Sequence, residues 1–185
     1  MKKTLTITLA FLFVIGLFTT ALAAEKMAVK SQGSPEKNYT SYFSGQQPFN
    51  DGASTITQTV SANGVLSIKY ALQPKGWLGA TSEHFQEDWS AFTGLQIKVA
   101  GGTKAKIRLE LYDANGVSYE FTFVDDSVKG KLVTIPFSSF KQRIDWQPAG
   151  VDADQPFSLT PVSTLNIAPL EGKGTIYFSQ IQLYK

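Results

Sequence analysis

GLQIKVAGGTKAKIRLELYDANGVSYEFTFV, residues 94–124, decides the fold class. It contains three short runs in which apolar and polar residues alternate: Leu95, Ile97, Val99; then Ile107, Leu109, Leu111; then Tyr119, Phe121, Phe123. Successive side chains of a strand point to opposite faces, so each run is a strand with one apolar face and one wet face. Gly101-Gly102 and Asn115-Gly116 separate the runs and are turn signals.

Working outward, the pattern persists. Leu66, Ile68 and Tyr70 alternate in VLSIKYAL, and Val133, Ile135 and Phe137 in KLVTIPF. In the closing TIYFSQIQLY, Ile176 and Phe178 fall out of phase with Ile181 and Leu183. One extra residue near Ser179-Gln180, a β-bulge, restores the phase. No stretch carries a sustained apolar stripe at helical spacing. The expected fold is all-β, a sandwich of two antiparallel sheets packed through their apolar faces.

The N-terminus reads differently. Lys2 and Lys3, an apolar run to Phe18 and the small-x-small site Ala21-Leu22-Ala23 make residues 1–23 a signal peptide. That run is too short and too threonine-rich for a membrane span of about 20 residues, and no cysteine follows it to carry a lipid. Residues 24–37 are polar and unpatterned and are expected to be a flexible leader, with one domain over 38–185. Export follows as the expected localisation, extracellular or periplasmic.

Charge excludes one class of function. Removing Lys2 and Lys3 leaves 15 basic against 15 acidic residues. With two arginines, Arg108 and Arg143, and no basic cluster, nucleic acid is not an expected partner. Enzymatic constellations are equally sparse. His84 is the single histidine and there is no cysteine, so neither a histidine zinc cluster nor a cysteine nucleophile can form. Asp125-Asp126 and Glu87-Asp88 are sequence neighbours that point apart on a strand, and Asp152 and Asp154 suit a turn. A small glycosidase therefore ranks last.

Aromatic residues are more informative. Trp89, in EDWSAF, caps the core, and Tyr70, Tyr112, Phe121 and Phe123 lie in strand patterns that suit core packing. Tyr42 in NYTSYFSG and Trp77 in QPKGWLG occupy loop-like, glycine-flanked contexts, where a ring is either a plug or a binding platform. RIDWQPAG, residues 143–150, gathers an arginine, an aspartate and a tryptophan. In extended chain Arg143 and Asp145 share a face. A guanidinium that only donates beside a carboxylate that only accepts complements vicinal hydroxyls, and Trp146 offers a flat apolar surface for a sugar ring. The alternative is a surface ion pair worth ~0–1 kcal/mol beside a buried ring.

From Gly76 onward the chain resembles the family 11 carbohydrate-binding modules of bacterial glucan-degrading systems. The resemblance rests on GWLG, EDWSAFTGLQIKV, IRLELYDANGVSYEF, VTIPFSSF, RIDWQPAG and GTIYFSQIQLY. It implies a β-jelly roll with a concave glucan-binding cleft and no catalytic activity. It also implies a polysaccharide partner, β-1,4-linked or mixed-linkage β-glucan, and association with a glycan-degrading or surface assembly. By position, the resemblance assigns Arg143, Asp145, Trp146, Trp77 and Tyr42 to the cleft, with Asp113 as the substitute for a further aspartate. A later cleft aromatic falls near Pro169, where there is no ring, and an acidic position appears as Ser163. Structural calcium in the family uses acidic residues near the domain start and in the last strand. Those regions read NYTSYF and FSQIQLY here, so no cofactor is expected. The other reading of the same architecture is a protein-interaction factor resembling the complex I intermediate-associated proteins.

Overall fold

The computed structural model describes residues 28–185. The signal-peptide assignment and the first residues of the expected leader lie outside them. In chain order the strands are β1 (Ser31–Gln32), β2 (Phe49–Asn50), β3 (Thr55–Val60), β4 (Leu66–Ala71), β5 (Leu78–Thr81), β6 (Glu87–Asp88) and β7 (Gly94–Ala100). They continue with β8 (Lys106–Tyr112), β9 (Ser118–Val124), β10 (Lys131–Pro136), β11 (Lys141–Gln142), β12 (Thr164–Pro169) and β13 (Lys173–Tyr184). Among the described residues the helical segments are short 3-10 turns at Tyr39–Phe43 and Phe137–Ser139.

A five-stranded sheet, β10-β7-β13-β4-β3, packs against a six-stranded sheet, β11-β9-β8-β12-β5-β2, and both are antiparallel. The two-sheet antiparallel sandwich expected from the alternation is the fold, and with it the jelly roll that the resemblance implies. Leu95, Ile97 and Val99 of β7 face Ile107, Leu109 and Leu111 of β8 across the core, all essentially inaccessible to solvent. Each such side chain contributes about 1.5–3 kcal/mol on burial, which is why the alternation is legible at all.

The bulge falls where the phase break puts it. Phe178 opposes Val99 and Gln180 opposes Lys98, so the extra residue is Ser179, and Phe178 and Ile181 both point inward. The freed backbone groups are taken up by Asn38. Its Nδ2 donates to the Ser179 carbonyl (3.1 Å) and its Oδ1 accepts from the Ile181 N–H (3.0 Å). Gln58 of β3 closes a sheet-to-sheet edge in the same manner, accepting from Thr81 N (3.0 Å) and donating to Thr81 O (2.9 Å) of β5.

The leader is corrected in part. β1 pairs in parallel with β6, and Lys30 N and Gly33 N donate to Gln86 O and Asp88 O, both at 2.9 Å. Lys37 reaches the buried Glu87 carboxylate at 2.5 Å. Polar sequence misled here because this segment joins the fold through backbone pairing and an ion pair to one buried carboxylate, neither of which needs an apolar pattern.

Candidate functional site

The wet face of the six-stranded sheet carries a cleft of about 1100 Å³. Its floor is set by register. Glu120 of β9, Glu110 of β8, Asn166 of β12 and Thr81 of β5 are cross-strand partners in one row, flanked by an Arg108–Ala168 row and a Tyr112–Thr164 row. Arg108, Glu110 and Tyr112 are the alternate residues of the strand whose other face is Ile107, Leu109 and Leu111, so the same period that builds the core builds the floor.

Both arginines of the chain converge on one carboxylate. Arg143 Nη1 donates to Glu110 Oε1 at 2.9 Å, and Arg108 Nε lies 2.8 Å from the same oxygen. Arg143 also grips Asp145 two-pronged, Nε to Oδ1 at 2.7 Å and Nη2 to Oδ2 at 3.2 Å. Arg108 Nη1 reaches Glu120 at 3.3 Å. The Arg143 guanidinium beside Asp145 holds that carboxyl below its ordinary range. Glu110 is 2 % exposed, and a buried carboxylate with two cations on it fixes both guanidiniums in place.

The RIDWQ segment is rigid because Gln147 ties it to β9. The Gln147 side chain accepts from Ser118 N (2.8 Å) and donates to Ser118 O (3.0 Å) and Arg143 O (2.6 Å). Trp146, 46 % exposed, lies over the Arg143 guanidinium at 5.1 Å, a cation–π contact worth ~0.5–1 kcal/mol at such a site.

On the other rim stands Trp77, 55 % exposed, at the start of β5. Asp51 holds its backbone from both sides: Asp51 Oδ2 accepts from Trp77 N (3.2 Å) and Asp51 N donates to Trp77 O (3.0 Å). Gly76 is required beside it, since a Cβ there would lie 2.3 Å from Asp51 Oδ2. Phe49 extends the platform, its ring 6.2 Å from that of Trp77.

Four of the sequence-predicted residues, Trp77, Arg143, Asp145 and Trp146, thus line one cleft, and two do not. Tyr42 is packed against Phe85 (5.2 Å), with its hydroxyl donating to Glu87 Oε1 at 2.8 Å. Of the two readings its glycine-flanked context left open, plug and binding platform, it is the plug, drawn inward by a buried carboxylate and away from the cleft position that the resemblance assigns it. Asp113 is fully buried and caps the β8–β9 turn, accepting from Asn115 N (2.8 Å), Val117 N (3.0 Å) and Ser158 N (3.1 Å). Aspartate there serves the backbone, as the Asn-Gly turn demands.

Pro169 pairs with core-facing Ile107, so the cleft positions of that strand are Ala168 and Leu170, neither a ring. Ser163 is buried at the cleft wall. Tyr112, read as core, instead lines the cleft with Asn166 Nδ2 3.3 Å from its hydroxyl, and burial pushes its phenol up to about 12. Glu110, Arg108, Asn166 and Phe49 escaped sequence reasoning. The usable signal was the wet set Arg108, Glu110, Tyr112, which holds the only arginine besides Arg143.

His84 lines the cleft beside Thr164 (3.2 Å), and burial together with Lys30 lowers its pKa. The residues do not fit the structural calcium that the resemblance implies. Where the domain start meets the last strand, the side-chain amide of Asn38 already engages Ser179 O and Ile181 N, and among the described residues no three acidic, histidine or cysteine side chains are arranged so that they could hold a metal ion.

Comparison with known proteins agrees with this fold. Endoglucanase H of Acetivibrio thermocellus is 30% identical over 127 residues, covering 63% of this chain, which spans 14% of that relative's length. A family 11 carbohydrate-binding module from Clostridium thermocellum, solved in complex with a β-1,3-1,4-mixed-linked tetrasaccharide, superposes with a TM-score of 0.65 at 21% identity, covering 75% of this chain and 87% of that one. The family 11 module of a cellulosomal cellulase of Clostridium thermocellum gives 0.63 at 19% identity, covering 75% and 86%. At these identities the likeness is one of fold. The family model for the carbohydrate binding domain (family 11) matches residues 20–185, and the chain belongs to that family.

Proposed function

We propose that the chain is an exported, non-catalytic module that holds a segment of β-glucan, β-1,4-linked or mixed-linkage, in the cleft of the six-stranded sheet. One observation carries the reading: Trp77 and Trp146, each about half exposed, stand on the rims of a single cleft whose floor is a fixed array of hydrogen-bonding groups. Two rings supply stacking surfaces for sugar faces, worth ~1–3 kcal/mol each by analogy with base stacking. Tyr112, Asn166 and Asp145 supply donors and acceptors for hydroxyls. Because these side chains are braced before the ligand arrives, little rotamer entropy is lost on docking.

Charge favours an uncharged polymer. Arg108 and Arg143 are both engaged by Glu110, Glu120 and Asp145, so neither is free to meet an anion. Asp145, whose pKa is lowered, is unsuited to the general-acid half of a glycosidase pair. Export rests on the basic, apolar and small-residue order of residues 1–23. The named relatives, an endoglucanase and a module of a cellulosomal cellulase, support a place beside glycan-degrading enzymes.

Affinity gels containing β-glucan, lichenan, xylan, mannan or no polysaccharide test the proposal, with reducing-end release measured alongside. Retardation by β-glucan or lichenan without release of reducing ends is expected. Free migration in every gel would refute it and redirect the search to a protein partner.

A further inference from the structure

A second depression, about 380 Å³, adjoins the cleft. It lies between the β4–β5 loop, residues 72–76, and the β12–β13 turn, residues 170–172. Gly76 and Leu170 line both hollows, so the second, which Glu171 also lines, adjoins the cleft at its Trp77 end. The geometry points to further subsites in this extension, which take the next sugar units of the same glucan chain. The inference rests on the proposed function and lengthens the stretch of polymer that is read.

The lining suits sugar. Leu72 and Leu170 give an apolar floor, Pro74 a rigid exposed ring, and the exposed Gln73 amide both donates and accepts, as a hydroxyl partner must. Lys75 adds a donor that no carboxylate in the described residues engages.

The loop is also held still. Gly76 N donates to Gln73 O (2.9 Å), Gln73 N to Ser54 Oγ (3.1 Å) and Leu72 N to Gly172 O (2.9 Å). Lys75 adopts a left-handed backbone, φ 62°, which a side chain other than glycine's disfavours.

Titration calorimetry with β-1,3-1,4-linked tetrasaccharide and hexasaccharide tests this, using the natural chain and the double variant Gln73→Ala/Lys75→Gly. Glycine suits the Lys75 backbone, so the variant keeps its fold, and retained tetrasaccharide binding verifies that. The natural chain should bind the hexasaccharide at least about fivefold more tightly than the tetrasaccharide. The double variant should bind both equally, at the natural tetrasaccharide affinity. Equal affinities in the natural chain, or a length gain that survives in the double variant, would overturn the extension. Failure of the tetrasaccharide to bind the natural chain would overturn the glucan reading beneath it.

Discussion

Arg143 shows how much one side chain organises. Its guanidinium fork grips Asp145 through two bonds, reaches the buried Glu110 with its remaining nitrogen and supports the Trp146 ring. A lysine keeps the charge but presents a single point donor and cannot stack as a plane. Arg143→Lys should therefore weaken lichenan retardation about tenfold, since charged hydrogen bonds contribute ~1.5–3 kcal/mol. Glu110 retains Arg108, so the thermal midpoint should move little. Affinity electrophoresis beside a melting curve separates the two effects. At this scale the sequence was a good guide where residue type was conspicuous, as with Trp77, Arg143, Asp145 and Trp146. It failed where the deciding partner was distant. Nothing near Tyr42 announces Glu87, 45 positions away, and Asp113 is indistinguishable from a ligand until its three backbone donors are seen.

Elements were legible through period alone, including the bulge at Ser179, because a phase error in β13 would turn Ile181 and Leu183 out to water. The sheet face that becomes a cleft was not. Both sheets have a wet face, and only register brings Glu110, Asn166 and Thr81 into one row. The bulge itself makes a prediction. Asn38→Ala leaves the Ser179 carbonyl and the Ile181 N–H without their side-chain partner and should cost about 1–3 kcal/mol, read as a lower urea midpoint at unchanged slope. Because the same amide stands where the family's calcium would be expected, adding a chelator or excess calcium should leave the natural midpoint unmoved. A chelator-induced fall would show that the Asn38 bridge is not the device that ties the domain start to β13.

For the whole molecule, stability has an acid limb centred on Glu87. Burial alone would raise its pKa, but Lys37, Tyr39, Tyr42 and Trp89 all donate to it and hold it below its ordinary 4.5. A carboxylate depressed in the folded state contributes stability that is complete above the unfolded value and is lost as pH falls through the folded one. Asp88, Asp126 and Asp145 are shifted in the same direction. Urea midpoints should hale little change from about pH 7 to pH 5 and fall steadily below about pH 4. In Glu87→Gln the starting stability should be lower and the fall shallower. A slope identical to that of the natural chain would remove Glu87 from the account.

The central claim is that one cleft, rimmed by Trp77 and Trp146, binds glucan. The chain has three tryptophans, and the third, Trp89, is fully buried between Phe85 and Phe137. Indole N–H signals in a proton–nitrogen correlation spectrum therefore report the claim with an internal control. Titration with the β-1,3-1,4-linked tetrasaccharide should move the Trp77 and Trp146 signals together, along one binding curve, and leave Trp89 in place. Unmoved Trp77 and Trp146 signals at saturating sugar would contradict the account.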